Sequence, residues 1–160
     1  TLGGQNLGDV WRHRLLVDSE ITAELVPFHK LTQWLTYSLL EPLEDAGVKV
    51  QNIDLLTGLP EYRNGGLFLD TGVLELKNPN EFSALHSVSS ELIVEWRALT
   101  VILLDRIGEK LRESIKLTRE ELPLPQLLQG GTWSTGRLLA YQRRPDGSPP
   151  LRVESDGTVF

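Results

Sequence analysis

The longest helical pattern in the chain runs from Glu91 to Leu117. Apolar residues recur there every three or four positions along one face, and others cover much of the remaining surface of the first half. The first set is Leu92, Trp96, Leu99, Leu103 and Ile107, and the second is Ile93, Val94, Val101 and Leu104. The pattern predicts one long helix with Ser89 or Ser90 as its N-cap. Its first half should be buried nearly all round, and its second half should emerge from the core.

A second helical pattern follows Leu25. Its apolar positions are Phe28, Leu31, Leu35 and Leu39. This spacing predicts an amphipathic helix, with Pro27 in the first turn and Pro42 at its end.

The opposite face of this second helix is polar but carries little charge. Lys30, Gln33 and Tyr37 are three and then four residues apart, so their side chains lie on one stripe. A stripe with a single charge is compatible with a face turned towards a pocket. An ordinary solvated face is the alternative that the spacing leaves open.

Residues 67–77, LFLDTGVLELK, have the alternation and the turn residues of a β-hairpin. We interpret them as two short strands around the turn Asp70-Thr71-Gly72, with Asp70 as a turn former and Gly72 at positive φ.

The last third of the chain is interpreted as containing a second hairpin. Its strands are RLLAYQRR and LRVES, its turn is PDGSPP, and a tight loop at Gly130-Gly131-Thr132 precedes it. That loop, with Arg137 close behind, also has weak features of an anion-binding nest. We therefore expect a single α+β domain over residues 1–160, with a mainly helical core and short β-hairpins.

Composition removes several classes of function. The chain has no Cys, and its 160 residues carry 16 basic and 22 acidic side chains, a net charge of −6. This balance argues against binding to nucleic acid or to an anionic membrane surface. No apolar run approaches the roughly 20 residues of a membrane span, so we expect a soluble, cytoplasmic protein. With no Met and an abrupt start at Thr1, the chain is expected to be part of a longer protein.

Metal and cofactor sites have little support in the sequence. The three histidines, His13, His29 and His86, lie far apart and have no HxxxH or HExxH spacing. There is no GxSxG serine, and GGT matches no nucleotide-binding fingerprint. We therefore expect no metal and no cofactor.

Two charged residues interrupt the part of the long helix that is predicted to be buried. Glu95 and Arg97 are two positions apart, so they face different sides and each needs its own partner. Burial of an ionised group is costly unless the group is paired. A structural ion pair is therefore one explanation of both residues.

The stretch LPEYRNGG places Glu61, Tyr62 and Arg63 directly before a glycine pair. A turn explains NGG, but it does not explain the three side chains before it. Together with the charged residues of the two helices, they could serve a hydrolysis that passes through an oxocarbenium-like sugar. A structural ion network is the alternative that spacing alone leaves open.

Long motifs in the chain resemble a known family. LGDVWRH, LVPFHKLTQWLTYSLLEPL, LTGLPEYRNGGLFLDTGVL, SELIVEWRALTVILLD, LLQGGTW and RVESDGTVF are similar to the C-terminal part of a uracil-catabolism family long filed as a domain of unknown function. The resemblance covers nearly all 160 residues and implies that the family proteins are more than twice as long.

A second, more distant resemblance is to the queuosine-salvage proteins, which hydrolyse the N-glycosidic bond of queuosine 5′-phosphate. Their motifs F-x-K-x-x-Q, Asp-Tyr-Arg and Glu-x-Arg occur here in the same order. The matching residues are Phe28, Lys30 and Gln33, then Glu61, Tyr62 and Arg63, then Glu95 and Arg97. Glu61 replaces the Asp of the second motif, which moves the carboxylate by one methylene.

Taken together, the resemblances imply a fold like that of the queuosine-salvage N-glycosidases and cleavage of ribosylurea, or of its 5′-phosphate, to release urea. Glu61 would be the catalytic carboxylate at the anomeric carbon. Substrate contacts would come from Lys30, Gln33, Tyr62 and Arg63. Glu95 and Arg97 would orient those residues. The expected partner is a small ribosyl or ribosyl-phosphate molecule, and the sequence does not indicate an oligomeric state.

Two alternatives stay open at this point. One is an amidohydrolase or deaminase that acts on the urea group, although such enzymes usually enlist a metal. The other is a non-catalytic module that binds a nucleotide-like metabolite or organises enzymes of pyrimidine degradation.

Overall fold

The computed structural model describes residues 1–16, 22–155 and 159. The helices are α1 (Lys30–Asp45), α2 (Tyr62–Asp70), α3 (Glu91–Ile115), α4 (Leu124–Leu127) and α5 (Ser134–Arg143), with a π-helix (Leu128–Trp133) between the last two. Short 3-10 helices span Ile53–Leu55 and Pro79–Phe82. The strands are β1 (Val10–Arg12), β2 (Leu25–Pro27), β3 (Leu85–Ser87) and β4 (Arg152–Glu154). β1 pairs with β2 in antiparallel fashion and β3 with β4 in parallel fashion. The predicted α+β class with a mainly helical core is confirmed.

The core is built around α3, and the prediction of this long helix is confirmed. Ser90 is its N-cap by backbone conformation, but its side chain makes no capping hydrogen bond. Two apolar clusters pack on α3, one of Leu69, Ile93, Trp96 and Leu151 and the other of Phe68, Leu104 and Leu128. None of the helices in the described ranges is both long and hydrophobic enough to cross a lipid bilayer.

The hairpin predicted over residues 67–77 is wrong, and so is the turn predicted at NGG. NGG lies entirely in α2, and residues 67–70 form the end of this helix, which ends at Asp70. Residues 71–77 form turns and bends without a strand. The glycines serve close packing, because a Cβ on Gly65 would lie 2.7 Å from Thr100 Oγ1 and 2.9 Å from the Trp96 ring. Only Gly72 keeps its predicted positive φ, at 74°, just beyond the end of the helix.

Asp70 is a buried ion-pair partner, where the sequence predicted a turn former. Its two carboxylate oxygens accept hydrogen bonds from Arg144 Nη1 and Nη2 at 2.8 and 2.5 Å. Arg144 Nε also donates to the Ser148 carbonyl oxygen at 2.6 Å. This contact joins the end of α2 to the turn after α5.

The second predicted hairpin is also wrong. RLLAYQRR lies in α5 rather than in a strand, and the predicted loop at Gly130 and Gly131 is part of the π-helix. PDGSPP does lie outside regular structure and LRVES does contain a strand, but that strand pairs with β3. The helix is favoured by tertiary packing, because α5 approaches α2 so closely that a Cβ on Gly136 would collide with the Arg63 carbonyl oxygen.

α1 begins and ends later than predicted. Pro27 lies in β2, the helix starts at Lys30, and it continues through Pro42 to Asp45. Pro42 lacks an amide donor, but its carbonyl oxygen accepts a hydrogen bond from the Ala46 N–H at 3.1 Å, so the last turn forms around it. The polar stripe faces the protein, since Tyr37 Oη donates to the Thr57 carbonyl oxygen at 2.6 Å. No residue of α1 is buried.

The contact between α5 and α2 gives a testable prediction about stability. Gly136→Ala should lower the free energy of unfolding by about 1–3 kcal/mol, because the added methyl group has no space against the α2 backbone. Gly131→Ala is the matched control, since nothing lies within 4 Å of its Cβ position. Urea denaturation of the two variants measures the difference, and equal midpoints would contradict the packing argument.

The buried ion pair gives a second prediction. Asp70→Asn should destabilise the fold by about 3 kcal/mol, because the largely buried Arg144 guanidinium then loses its paired, buried carboxylate. Glu109→Gln serves as control, since the ion pair of Glu109 with Arg119 is exposed and is worth less than about 1 kcal/mol. The measurement is the free energy of unfolding of each variant, and similar losses in both would disprove the assignment.

Candidate active site

Glu61 lies at the N-terminus of α2, as its N-cap. The carboxylate accepts hydrogen bonds from the backbone N–H groups of Arg63 at 2.9 Å and Asn64 at 2.6 Å. These bonds place the charge at the positive end of the helix dipole. The residue is buried, and burial raises the pKa of Glu61 above its usual value even though the two N–H groups oppose the shift.

Lys30, the first residue of α1, lies within the electrostatic reach of Glu61. Half-burial lowers the pKa of the Lys30 amine, and the carboxylates of Glu61 and Asp9 act against that shift. The Lys30 charge in turn favours ionisation of Glu61. Two residues that the sequence placed in separate motifs thus belong to one electrostatic site.

Arg97 supports this site from the buried side of α3. Its side chain is completely buried, and Nη1 and Nη2 donate to the two carboxylate oxygens of Asp9 at 2.7 and 2.8 Å. Nη2 also donates to the Val159 carbonyl oxygen at 3.0 Å. The guanidinium carbon lies 4.1 Å from the centre of the Phe28 ring, in a cation–π contact.

Another donor of Arg97 reaches the residue next to Glu61. Arg97 Nε donates to the Pro60 carbonyl oxygen at 3.2 Å. That carbonyl belongs to the peptide unit that joins Pro60 to Glu61. Arg97 therefore fixes the backbone from which the Glu61 side chain extends.

Asp9 is a central residue that the sequence analysis missed. It accepts hydrogen bonds from Arg97, from Trp11 Nε1 at 2.7 Å and from the Lys30 backbone N–H at 3.1 Å. Burial alone would raise the pKa of Asp9, but these donors lower it below its usual value. The only sequence signal was its place in the motif LGDVWRH, because its main partner, Arg97, lies 88 residues away.

Gln33 holds the segment that leads to Glu61. Its Oε1 accepts from Thr57 Oγ1 at 2.8 Å and from the Thr57 N–H at 3.3 Å, while Nε2 donates to the Phe28 carbonyl oxygen at 3.2 Å. The amide thus connects the start of α1 to the segment that precedes α2. The Gln33 side of α1 therefore faces the protein.

Tyr62 and Arg63 follow Glu61 but extend in other directions. Tyr62 packs against the apolar cluster on α3. The Arg63 guanidinium lies over two rings, 4.9 Å from the centre of Tyr62 and 5.5 Å from that of Trp133. Arg63 Nη1 is buried, and no described residue accepts a hydrogen bond from it. The guanidinium carbon of Arg137 lies 5.6 Å from the centre of the Trp133 ring. The sequence analysis did not assign Trp133 or Arg137 to the site.

The structure does not bring Glu95 to this site. Glu95 is exposed, whereas Arg97, two residues later, is completely buried. Because each helical residue turns the chain by about 100°, these two side chains point to nearly opposite sides of α3. The expectation that Glu95 is buried and orients the substrate-binding residues is therefore wrong.

Two cavities of the described chain lie near the elements of this site, and one of them is lined by Tyr62 and Arg63. A cleft of about 620 Å³ opens beside the second half of α3, where Asp105, Glu109 and Arg112 line it. A much smaller cavity is lined by Arg63 and Arg144, among others. Neither is lined by Glu61 or Lys30. Among the described residues, no three His, Asp or Glu side chains gather as a metal site would require.

The Glu61 carboxylate and the basic side chains near it could act as a base and as ligands for a sugar or a phosphate. A buried carboxylate with a raised pKa is a stronger base than an exposed one, and it stabilises positive charge better in its low-dielectric surroundings. Lysine and arginine side chains near it can hold sugar hydroxyls or a phosphate.

Comparison with known proteins gives this geometry a family context. Residues 1–160 match the family described as a protein of unknown function, DUF1688. The chain is 49% identical over 160 residues to Protein urg3 of Schizosaccharomyces pombe, an alignment that covers 98% of this chain and 39% of that protein. It is 42% identical over 186 residues to Uracil catabolism protein 4 of Lachancea kluyveri, covering 100% of this chain and 41% of that protein.

The chain therefore spans about two fifths of the length of the curated relatives it matches. No solved structure matches it. Because the family match extends over the whole chain, the membership that the sequence motifs indicated is confirmed, and the chain belongs to the DUF1688 family, which includes a protein named for uracil catabolism.

Proposed function

We propose that this chain takes part in uracil catabolism by hydrolysing the N-glycosidic bond of ribosylurea or of its 5′-phosphate, with release of urea. The observation that carries the proposal is the buried Glu61 carboxylate, which has a raised pKa and lies in the field of Lys30. The name of the Lachancea kluyveri relative supports the pathway. The resemblance to the queuosine-salvage proteins supports the type of bond.

In the proposed reaction, Glu61 lies beneath the anomeric carbon. It accepts a proton from a water molecule whose oxygen bonds to that carbon, while the bond from the carbon to the urea nitrogen breaks. The departing nitrogen takes up a proton from solvent, and Glu61 then returns its own proton to solvent, so the products are ribose, or ribose 5-phosphate, and urea. The positive charge that develops on the sugar is stabilised by the ionised carboxylate.

The neighbouring residues have proposed roles that follow from their contacts. Lys30 holds a ribose hydroxyl or the 5′-phosphate, because its half-buried amine lies within the electrostatic field of the Glu61 carboxylate. Arg63, whose buried Nη1 lacks an acceptor among the described residues, is the second group for a sugar or phosphate oxygen. The Tyr62 ring packs beside the Arg63 guanidinium. Gln33 holds the backbone at Thr57, before Pro60, and Arg97 holds the Pro60 carbonyl oxygen, next to Glu61.

A non-catalytic binding module is the second candidate, and one observation favours it. Both oxygens of Glu61 already accept hydrogen bonds from the N-terminus of α2, which is the behaviour of a structural cap. In that case substitution of Glu61 changes stability or ligand affinity, and no turnover depends on it.

Glu61→Gln separates the two candidates. The amide keeps one oxygen for the N-cap, so the fold should be retained, but it can neither accept the water proton nor carry a negative charge. We expect urea release to fall by at least about 100-fold, with ligand affinity nearly unchanged. The assay follows urea release from ribosylurea and from its 5′-phosphate, with this chain and with a full-length family protein that contains it.

The matched control for this experiment is Glu95→Gln, which removes the same charge from the exposed side of α3 and should leave turnover unchanged. Urea release that survives in Glu61→Gln would contradict the proposed mechanism. Release by neither wild-type protein would favour the binding module, and release by the longer protein alone would place essential residues outside this chain.

The raised pKa of Glu61 predicts a specific pH dependence. Glu61 must be ionised to act as a base, so kcat/KM should rise with pH along an acidic limb whose midpoint lies above 4.5, the ordinary value for this group. The effect on stability has the opposite direction. Above pH 4.5 the unfolded state loses this proton more readily than the folded state, so the free energy of unfolding falls as pH rises through the folded pKa. A kcat/KM profile without such a limb would count against Glu61 as the base.

A further inference from the structure

α1 has a continuous apolar face that stays largely exposed in the described chain. Its members are Leu31, Trp34, Leu35, Leu39 and Leu43, with exposed fractions between 39% and 57%. They recur every three or four residues and so form one stripe along the whole helix. We call this set the α1 stripe. A contiguous apolar surface of this kind is characteristic of an interaction site, whereas isolated exposed leucines are not.

The way α1 is attached makes this exposure more significant. Gln33 and Tyr37, on the polar side, form hydrogen bonds with Thr57. The helix is therefore held to the protein by its polar face and presents its apolar face outwards, the reverse of an ordinary surface helix. This orientation is favourable only if another apolar surface covers the α1 stripe.

We propose that the α1 stripe is covered by the part of the full-length family protein that lies outside this chain. The two relatives are aligned to this chain over only 39% and 41% of their length, so about three fifths of each has still to pack somewhere. The matching surface on that remaining part should be an apolar helix or sheet face. This inference does not depend on the proposed enzymatic function.

The position of the stripe supports this occupant. It begins at Leu31, directly after Lys30, so a segment that covers the stripe also reaches the edge of the candidate site. The larger cleft and the small cavity leave out Glu61 and Lys30, which fits a site that lacks one wall in this chain. An anionic membrane is a poor occupant, because the end of α1 is acidic at Glu41, Glu44 and Asp45.

The chain has no native cysteine, so a single introduced thiol can report on exposure. We would place cysteine at Leu35 or Leu39 in this chain and in a full-length family protein that contains it, and measure the rate of reaction with dithiobis(nitrobenzoic acid). Peptide mass spectrometry assigns the modified thiol if the longer protein has its own cysteines. The thiols at both positions should react at least tenfold more slowly in the longer protein. Val73→Cys is the matched control, since Val73 and Leu35 are both 55% exposed, and its rate should not change.

Equal rates in the two proteins at positions 35 and 39 would overturn the proposal. Equal protection at position 73 would also overturn it, because the protection would then not be specific to the stripe. Protection in the short chain that increases with its concentration would assign the stripe to a second copy instead.

A measurement without substitution guards against a cysteine variant that fails to fold. Hydroxyl-radical footprinting of the unsubstituted proteins compares oxidation of Trp34, which is 57% exposed, with that of the buried Trp96. Trp34 should be protected in the full-length protein and oxidised in this chain. Oxidation of Trp34 to the same extent in both would refute the proposal.

Discussion

A guanidinium that is removed entirely from water must find its hydrogen-bond acceptors within the protein. Arg97 finds them in three separate segments, on the Asp9 carboxylate and on the carbonyl oxygens of Pro60 and Val159. Because each acceptor belongs to a different part of the chain, the hydrogen bonds of this one side chain fix how those parts are arranged. The position of Glu61, next to Pro60, follows from this arrangement.

The sequence predicted α3 well and α2 badly, for the same physical reason. α3 is long, and a pattern repeated over seven turns outweighs any local exception. α2 spans nine residues and contains two glycines, so its local propensities favour a turn. The contacts of Gly65 with Trp96 and Thr100, which lie more than 30 residues away, decide in favour of the helix. Such contacts leave no local signal.

Contacts between residues far apart in the sequence also limited the prediction of the candidate site. The sequence motifs identified Lys30, Glu61 and Arg97, which the structure brings into one region. The motifs also included Glu95, because two charged residues that are two positions apart do not show which of them faces the core. Asp9 could not be found from spacing, since an isolated aspartate near a strand has no pattern. It becomes recognisable only through the buried arginine that requires it.

The contacts of Arg97 also bear on the order of folding. Its acceptors are separated from it by 88, 62 and 37 residues, so each bond closes a long loop at an entropic cost that no local structure repays. α3 itself forms from contacts between near neighbours and can precede those closures. Formation of α3 is therefore expected to precede the burial of Arg97, and the slowest of the three closures limits the rate at which the candidate site assembles.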